Sequence, residues 1–365
     1  MTFALRRGLD VRNHRGDVEI MRYELRRQDF SLADYQLALR DSFIHFFNKE
    51  CPIGVVRDAE PLGYAPDLWK RLVRTGITTM GLPHSYGGDE SALVDLGVIA
   101  EEAGRVMAPV PMISHVVASR LLGRACAPRA LVEDAASGDR VFALAPAPVR
   151  GRQRQLVSEA ALTRDVIGLD DEQLVLFTSA APAAHIVNQA GLAIGWWEPS
   201  AVVTRTVLAV GDSATAAYRT AISEWKVLTA AALVGLAEAA LHAAVEFAKT
   251  RETMGVPIGA LQGVAFPLAD VAIGIAGARN LAMKSAWMLE HEPESHPELP
   301  LMAYAYAGEI AARGTSTSAH MQGGLGVSTE SVAAMYFVRA AGWAALCGGR
   351  LADYQTIARE IADPR

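Results

Sequence analysis

"WKVLTAAALVGLAEAALHAAVEFAKTRE", residues 225–252, decides the architecture of this chain. Leucine, valine and alanine fill most of its positions and no proline interrupts them. Glu238, His242 and Glu246 recur every four residues, which places one polar stripe on an otherwise apolar helix. So much alanine requires close packing by neighbouring helices. Three later stretches have the same texture: "LADVAIGIAGARNLAMKSAWMLE" (268–290), "LMAYAYAGEIAARGTSTSAHMQ" (301–322) and "SVAAMYFVRAAGWAAL" (331–346). Together they predict an antiparallel four-helix bundle over 224–365.

Working outward from the bundle, helical spacing also fills 30–137, in "LADYQLALRDSFIHFFNKE", "PDLWKRLVRTG" and "LVDLGVIAEEAGRVM". Between these helical regions, over 138–223, the periodicity fades into short runs such as "VFALA", "DVIGL", "QLVLF" and "TRTVLAV", separated by turn residues. The prediction is an α+β chain: a helical domain, a small middle β domain and a four-helix bundle, preceded by an arm at 1–29 whose Arg/Asp mixture has no unbroken apolar segment.

The chain has 365 residues, half apolar and a fifth charged, with a net charge of -6 and no basic cluster. Nucleic acid and anionic membranes are thereby set aside as partners. Cys51, Cys126 and Cys347 are too far apart for a zinc knuckle or redox pair, and a cytoplasmic setting is expected. The run from Gln173 to Trp197 carries no charge, but Pro182, Asn188, Gln189, Gly191 and Gly195 make it strand pieces, "QLVLFTS" and "HIVNQAGLAIGWW", rather than a membrane span. The connection "HEPESHPELP" (291–300) mixes histidine with glutamate, yet its prolines deny one helical face to a metal, and no metal site is expected.

Two stretches now gain meaning. "RETMGVPIGALQ" (251–262) sets an arginine ahead of a turn, and "HMQGGLGVSTE" (320–330) puts three glycines into four positions before a helix. With "LPHSYGG" (82–88), "EEAGR" (101–105) and "YFVRAA" (336–341), in this order and at these separations, they resemble the acyl-CoA dehydrogenase family, with Met254 where phenylalanine is usual. The match is strong over the last 140 or so residues, fair in the first domain and poor in the middle.

The resemblance implies FAD as cofactor and α,β-dehydrogenation of an acyl thioester carried on coenzyme A or a carrier protein, with electron-transfer flavoprotein as acceptor. It implies flavin contacts at Arg251, Thr253, Gln262, His320, Gln322, Gly323, Gly324 and Gly326, reaching across a subunit boundary. A guanidinium can grip diphosphate oxygens in parallel, and bare backbone lets N–H groups come close to the dinucleotide.

Two departures stand against this. The family removes the α-proton with a glutamate from one of two places, and here those positions are Gly348, nine residues after Arg339, and Trp225, ten before Gly235. Glu224 and Asp353 are the candidates left for a base. The middle domain also lacks the usual Thr-Glu…Gly-Ser-Asp and Trp-Ile-Thr segments; "VFALAPAPVRGRQ" stands near the first. Three readings remain open: a base-deficient subunit paired with a catalytic homologue, as in bacterial sterol side-chain degradation; a self-sufficient dehydrogenase with an unusual base; and a flavin-free scaffold. Cys347 has no histidine near it in sequence and reads as packing.

Overall fold

A computed structural model describes residues 31–362, so the arm expected at 1–29 lies outside the described residues. The first domain comprises α1 (Asp34–Glu50), α2 (Ile53–Asp58), α3 (Pro66–Val73), α4 (Leu93–Arg105), α5 (Met112–Arg124) and α6 (Arg129–Ser137). Pro66 opens α3, where its missing N–H costs nothing, and Gly138 closes α6 at φ 69°, a backbone state glycine adopts freely.

The middle domain holds β1 (Ala143–Leu144), β2 (Gln155–Val157), β3 (Asp165–Asp170), β4 (Gln173–Ser179), β5 (Gly195–Trp197) and β6 (Val202–Val210). One sheet runs β1-β3-β4-β6, with β1 parallel to β3 and the other pairs antiparallel, while β2 pairs with β5. The uncharged stretch of β4 has a structural cause. Leu174 and Leu176 enter the large helical core, and Val175 and Phe177 enter a small β core with Trp197. Both faces are covered, so both must be apolar.

"HIVNQAGLAIGWW" is only partly strand. Apart from an isolated bridge at His185, pairing is confined to β5. The Asn188 amide donates to the carbonyls of Ile186 (2.7 Å) and Leu192 (2.8 Å) and ties the segment into a loop. Gly191 sits there at φ +56°, and a Cβ on it would lie 2.0 Å from the Arg339 guanidinium carbon.

The bundle is α7 (Asp212–Thr250), α8 (Gln262–His291), α9 (Leu299–Met321) and α10 (Val332–Ala344), followed by α11 (Gly349–Ala362). A short hairpin, β7 (Glu252–Thr253) and β8 (Val256–Pro257), joins α7 to α8. α7 starts at Asp212, ahead of Glu224 where the helical pattern strengthens. It is buried at every position from Glu224 to Ala237, then only at Ala240, Ala244 and Ala248. The first part therefore runs through the protein and the second lies on it. α7 packs against α4, α5, α8, α9, α10 and the sheet. Its contact with α4 is made by bare backbone: a Cβ on Gly235 would lie 1.9 Å from the Glu101 carbonyl, and one on Gly104 would lie 2.0 Å from the Ala232 carbonyl.

α7 and α8 are long and apolar enough to cross a bilayer, yet 72% of the most apolar window of α7 is buried inside the protein. Arg339 on α10 binds all three domains, its guanidinium paired with Glu60 and donating to the Gln189 carbonyl (3.2 Å).

Candidate active site

The predicted cofactor contacts collect at one end of the bundle. Arg251 caps α7, its N–H bonded to the Phe247 carbonyl (2.9 Å), and its side chain is exposed and makes no ion pair among the described residues. Thr253, Gln262, His320, Gly323 and Gly324 are exposed as well, and Gln322 is half-buried. Met321, just ahead of the glycines, packs in a small cluster with Ala244 and Ala248 of α7, Leu268 of α8 and Ile258 after the hairpin. That cluster brings the glycine loop beside the end of α7.

The three glycines differ. Around Gly323 and Gly324 the space a Cβ would take is open, and both lie exposed at the start of a 3-10 turn. Gly326 is buried, and a Cβ there would lie 2.1 Å from the Ala319 carbonyl, so its missing side chain serves the fold of the loop itself. An exposed guanidinium near an exposed glycine loop has the chemistry to suit a diphosphate group such as that of FAD.

Both candidate bases are engaged in ion pairs. Glu224 is 1% exposed and gripped from α5 by two arginines one helical turn apart: Arg120 Nη2 lies 2.9 Å from Oε1 and Arg124 Nη2 lies 2.8 Å from Oε2. Arg120 also binds Glu290 at 2.8 Å. Burial raises the Glu224 carboxyl, but the charges of Arg124 and Arg120 and their hydrogen bonds outweigh it and hold it at about 2. In this pairing the Glu224 carboxylate, with Arg120, Arg124 and Glu290, ties α5, α7 and α8 together. Asp353 on α11 is buried against Lys226, whose ammonium lies over the Tyr304 ring (5.1 Å). Desolvation raises its carboxyl and Lys226 opposes the rise. Cys347 donates weakly to the Pro146 carbonyl (3.4 Å), and burial pushes its thiol up to about 11, so it packs rather than reacts.

Trp225, at one of the two positions where the family keeps its glutamate, borders a partly open cavity of about 60 Å³. Trp225 and Leu346 line it, and a neighbouring void of about 20 Å³ shares both and adds Cys347, next to Gly348. Gly348 has φ +93°, which a side chain would adopt only under strain. One carboxylate lines the cavity, and the sequence reading passed over it: Glu159. It is 5% exposed, and its Oε2 has no hydrogen-bond partner among the described residues. Ser114 bonds to its carboxyl, and Ser114 Oγ in turn accepts from Trp225 Nε1 at 3.2 Å.

Burial pushes the Glu159 carboxyl up to about 7, against the smaller lowering by Ser114. The folded state therefore holds this proton more tightly than the unfolded chain. Its contribution to stability is complete below the ordinary carboxyl pKa of 4.5 and is lost as pH rises through about 7. Glu159→Gln is expected to flatten that slope, so that the gap to the parent protein, measured by urea unfolding, moves in favour of the variant between pH 5 and pH 8.

A larger hollow of about 510 Å³ is lined by Arg105, Glu238, His242 and Tyr336. Its acid and one of its bases are already engaged elsewhere, Glu238 with Arg279 and Arg105 with Glu102.

Comparison with known proteins follows the same lines. Residues 33–130 match the model of the acyl-CoA dehydrogenase N-terminal domain and residues 215–362 that of the C-terminal domain. The chain is 27% identical over 327 residues to the acyl-CoA dehydrogenase IpdE2 of Mycolicibacterium smegmatis, covering 87% of this chain and 96% of that one. It is 28% identical over 335 residues to FadE27 of Mycobacterium tuberculosis, covering 81% and 88%. Among solved structures, the ChsE4-ChsE5 complex from Mycobacterium tuberculosis aligns with a TM-score of 0.79 at 22% identity, over 92% of this chain and all of that one. Butyryl-CoA dehydrogenase from Megasphaera elsdenii gives the same TM-score at 19% identity and the same coverage. Domain order, the outward-facing arginine and glycine loop, and both terminal family models agree: the chain belongs to the acyl-CoA dehydrogenase family.

Proposed function

We propose that the chain takes part in FAD-linked α,β-dehydrogenation of an acyl-CoA thioester as one subunit of a hetero-oligomer, lending Arg251 and the 320–326 loop to the flavin of a catalytic homologue. One observation carries this reading. Both ordinary glutamate positions are filled by residues with no carboxylate, Trp225 and Gly348, and the adjacent acids are locked in ion pairs, while the flavin-contact segments stay exposed and open. The match to a complex of two named subunits, ChsE4 and ChsE5, supports the pairing. The FadE27 and IpdE2 relatives leave the acyl group to be identified, with a sterol side chain as the first candidate. Electron-transfer flavoprotein is the expected acceptor.

FAD supplies the hydride-accepting ring when bound. This chain's residues would neutralise the diphosphate through Arg251 and donate backbone hydrogen bonds from Gly323 and Gly324. A second reading, a self-sufficient dehydrogenase with an unusual base, is favoured by Glu159 alone.

The test is purification of the chain alone and co-expressed with a homologous subunit. A colourless chain that becomes yellow, with flavin absorbance, only in the co-expressed assembly supports the partner role. Yellow protein from the chain alone supports self-sufficiency, and no colour in either leaves a scaffold. Arg251→Ala in the assembly is expected to weaken FAD binding by about 10–150-fold, the loss of a hydrogen-bonded charge, while subunit pairing in gel filtration persists.

A further inference from the structure

The cavity beneath Trp225 has a composition that packing alone does not explain. Its walls are almost wholly apolar, contributed by α4, α5, α7 and α10, and yet two buried polar atoms face no partner among the described residues: Glu159 Oε2 and Thr229 Oγ1, both on residues that line it. An unsatisfied buried carboxylate oxygen is expensive and calls for a bound water or ion, or for a catalytic role. Glu159 is the one charged side chain on the cavity wall, so no cation neutralises it there.

The backbone tells the same story. Glu159 sits at φ 61°, in the left-handed region that a glutamate rarely adopts. The conformation is enforced: the Glu159 carbonyl accepts from Leu162 N (2.8 Å) and Thr163 N (3.1 Å), two residues beyond the end of β2. Held in this conformation, which Glu90 and five other non-glycine residues among those described also adopt, Glu159 stands on the cavity wall. The hydrogen-bond path from Trp225 through Ser114 to Glu159 begins at a position where the family places its base.

From this geometry we infer that Glu159 is the proton-accepting carboxylate of an acyl site within this chain, replacing the glutamate absent from positions 225 and 348. The site takes the thioester end of an acyl-CoA, whose short α,β segment suits a narrow apolar cavity, with Thr229 Oγ1 available to donate to the carbonyl oxygen. The step is a proton transfer: the α C–H bond breaks, the proton passes to Oε2, and the electron pair stays on the α-carbon, delocalised onto the thioester carbonyl. The inference rests on the acyl-thioester reading above and deepens its second form, the self-sufficient dehydrogenase: with Glu159 as base, the missing carboxylates at 225 and 348 no longer point to a base on a partner subunit.

The experiment is hydrogen exchange at the α-carbon of a short saturated acyl-CoA in deuterated buffer with FAD added, read by mass spectrometry on the full chain. Binding of the same acyl-CoA is measured in parallel by equilibrium dialysis. Exchange above the buffer rate, rising with a midpoint near pH 7 and cut by about 10²-fold or more in Glu159→Gln with binding retained, supports the proposal. Ser114→Ala is expected to move that midpoint upward, because the hydrogen bond that lowers the Glu159 pKa is gone. Binding with exchange at the buffer rate, or exchange unchanged in Glu159→Gln, overturns the role of Glu159 and leaves the acyl-thioester reading intact. No binding by the parent chain overturns both. Circular dichroism of Glu159→Gln matching the parent separates a lost proton acceptor from a lost fold.

Discussion

Glu224→Leu is expected to cost about 3–5 kcal/mol of folding stability, because removing one partner of a buried pair leaves the other charges stranded. Arg120 is 7% exposed and retains only Glu290 as a carboxylate partner, while Arg124 loses both of its bonds to Glu224. Against a total of about 5–15 kcal/mol for an ordinary protein, that loss is large enough to show as a fall in soluble yield as well as in the urea midpoint. Glu224→Gln keeps the shape and an acceptor oxygen and is expected to lose less.

The same pairing sets an acid limb. The folded carboxyl lies at about 2 against an ordinary 4.5, so the stability it supplies is complete above 4.5 and is lost as pH falls through about 2. Urea midpoints measured from pH 6 to pH 2 are expected to fall steeply in the parent and less steeply in Glu224→Gln. Equal slopes would mean that the ion pairs do not persist in solution. Glu159 has the opposite sign: its contribution is complete below 4.5 and lost as pH rises through about 7, so the two contributions overlap fully only near pH 4.5.

Gly235→Val is expected to prevent folding, or to cost more than about 3 kcal/mol. A Cβ at Gly235 meets the Glu101 carbonyl oxygen at 1.9 Å and the Arg105 nitrogen at 3.0 Å. Both are backbone atoms of α4, so no side chain can swing aside and the helices themselves must separate. The gain of about 1 kcal/mol from removing a glycine inside a helix is too small to compensate. Gly235→Ala tests the same contact more gently, with an expected loss of about 1–3 kcal/mol. Gly104→Ala sits at the same crossing, and the double variant is expected to lose less than the sum of the singles, since helices already forced apart by one methyl accommodate the second. Full additivity in urea unfolding would show that the two glycines are not one contact.

How legible was this in the sequence? The helices were, because their period and alanine content survive any tertiary context: 225–250 lies in one helix, and only Arg251 and Glu252 of the quoted stretch fall beyond its end at Thr250. β3, β4 and β6 were too, through short apolar runs between turn residues. The segment 182–194 was not, because its loop is held by one asparagine side chain and by Arg339, 150 residues away from Gln189 along the chain. The structure places the 320–326 loop beside the end of α7, a nearness that spacing along the chain does not state, and shows Gly326 occupied with the fold of its own loop.

The fate of Glu224 could not be read, since its two arginines are 104 and 100 residues distant. Glu159 was the opposite failure. In "LVSEAALT" one acid between small residues looks like an ordinary solvated turn, and the missing signal is that the neighbouring residues are apolar with no basic side chain among them. Burial of a lone acid is decided by what folds over it, here α5 and α7, and no local pattern encodes that.

The long helix α7 has a consequence for biosynthesis. Its segment 224–237 supplies the missing wall for α4, α5 and the sheet, all of which are encoded earlier. A ribosome adding about 5–20 residues per second needs several seconds to produce those residues and bring them out. Throughout that interval the nascent first half displays greasy surface that nothing yet seals, so ribosome-bound fragments ending before residue 224 should be far more prone to clump or to recruit chaperones than fragments ending beyond residue 250.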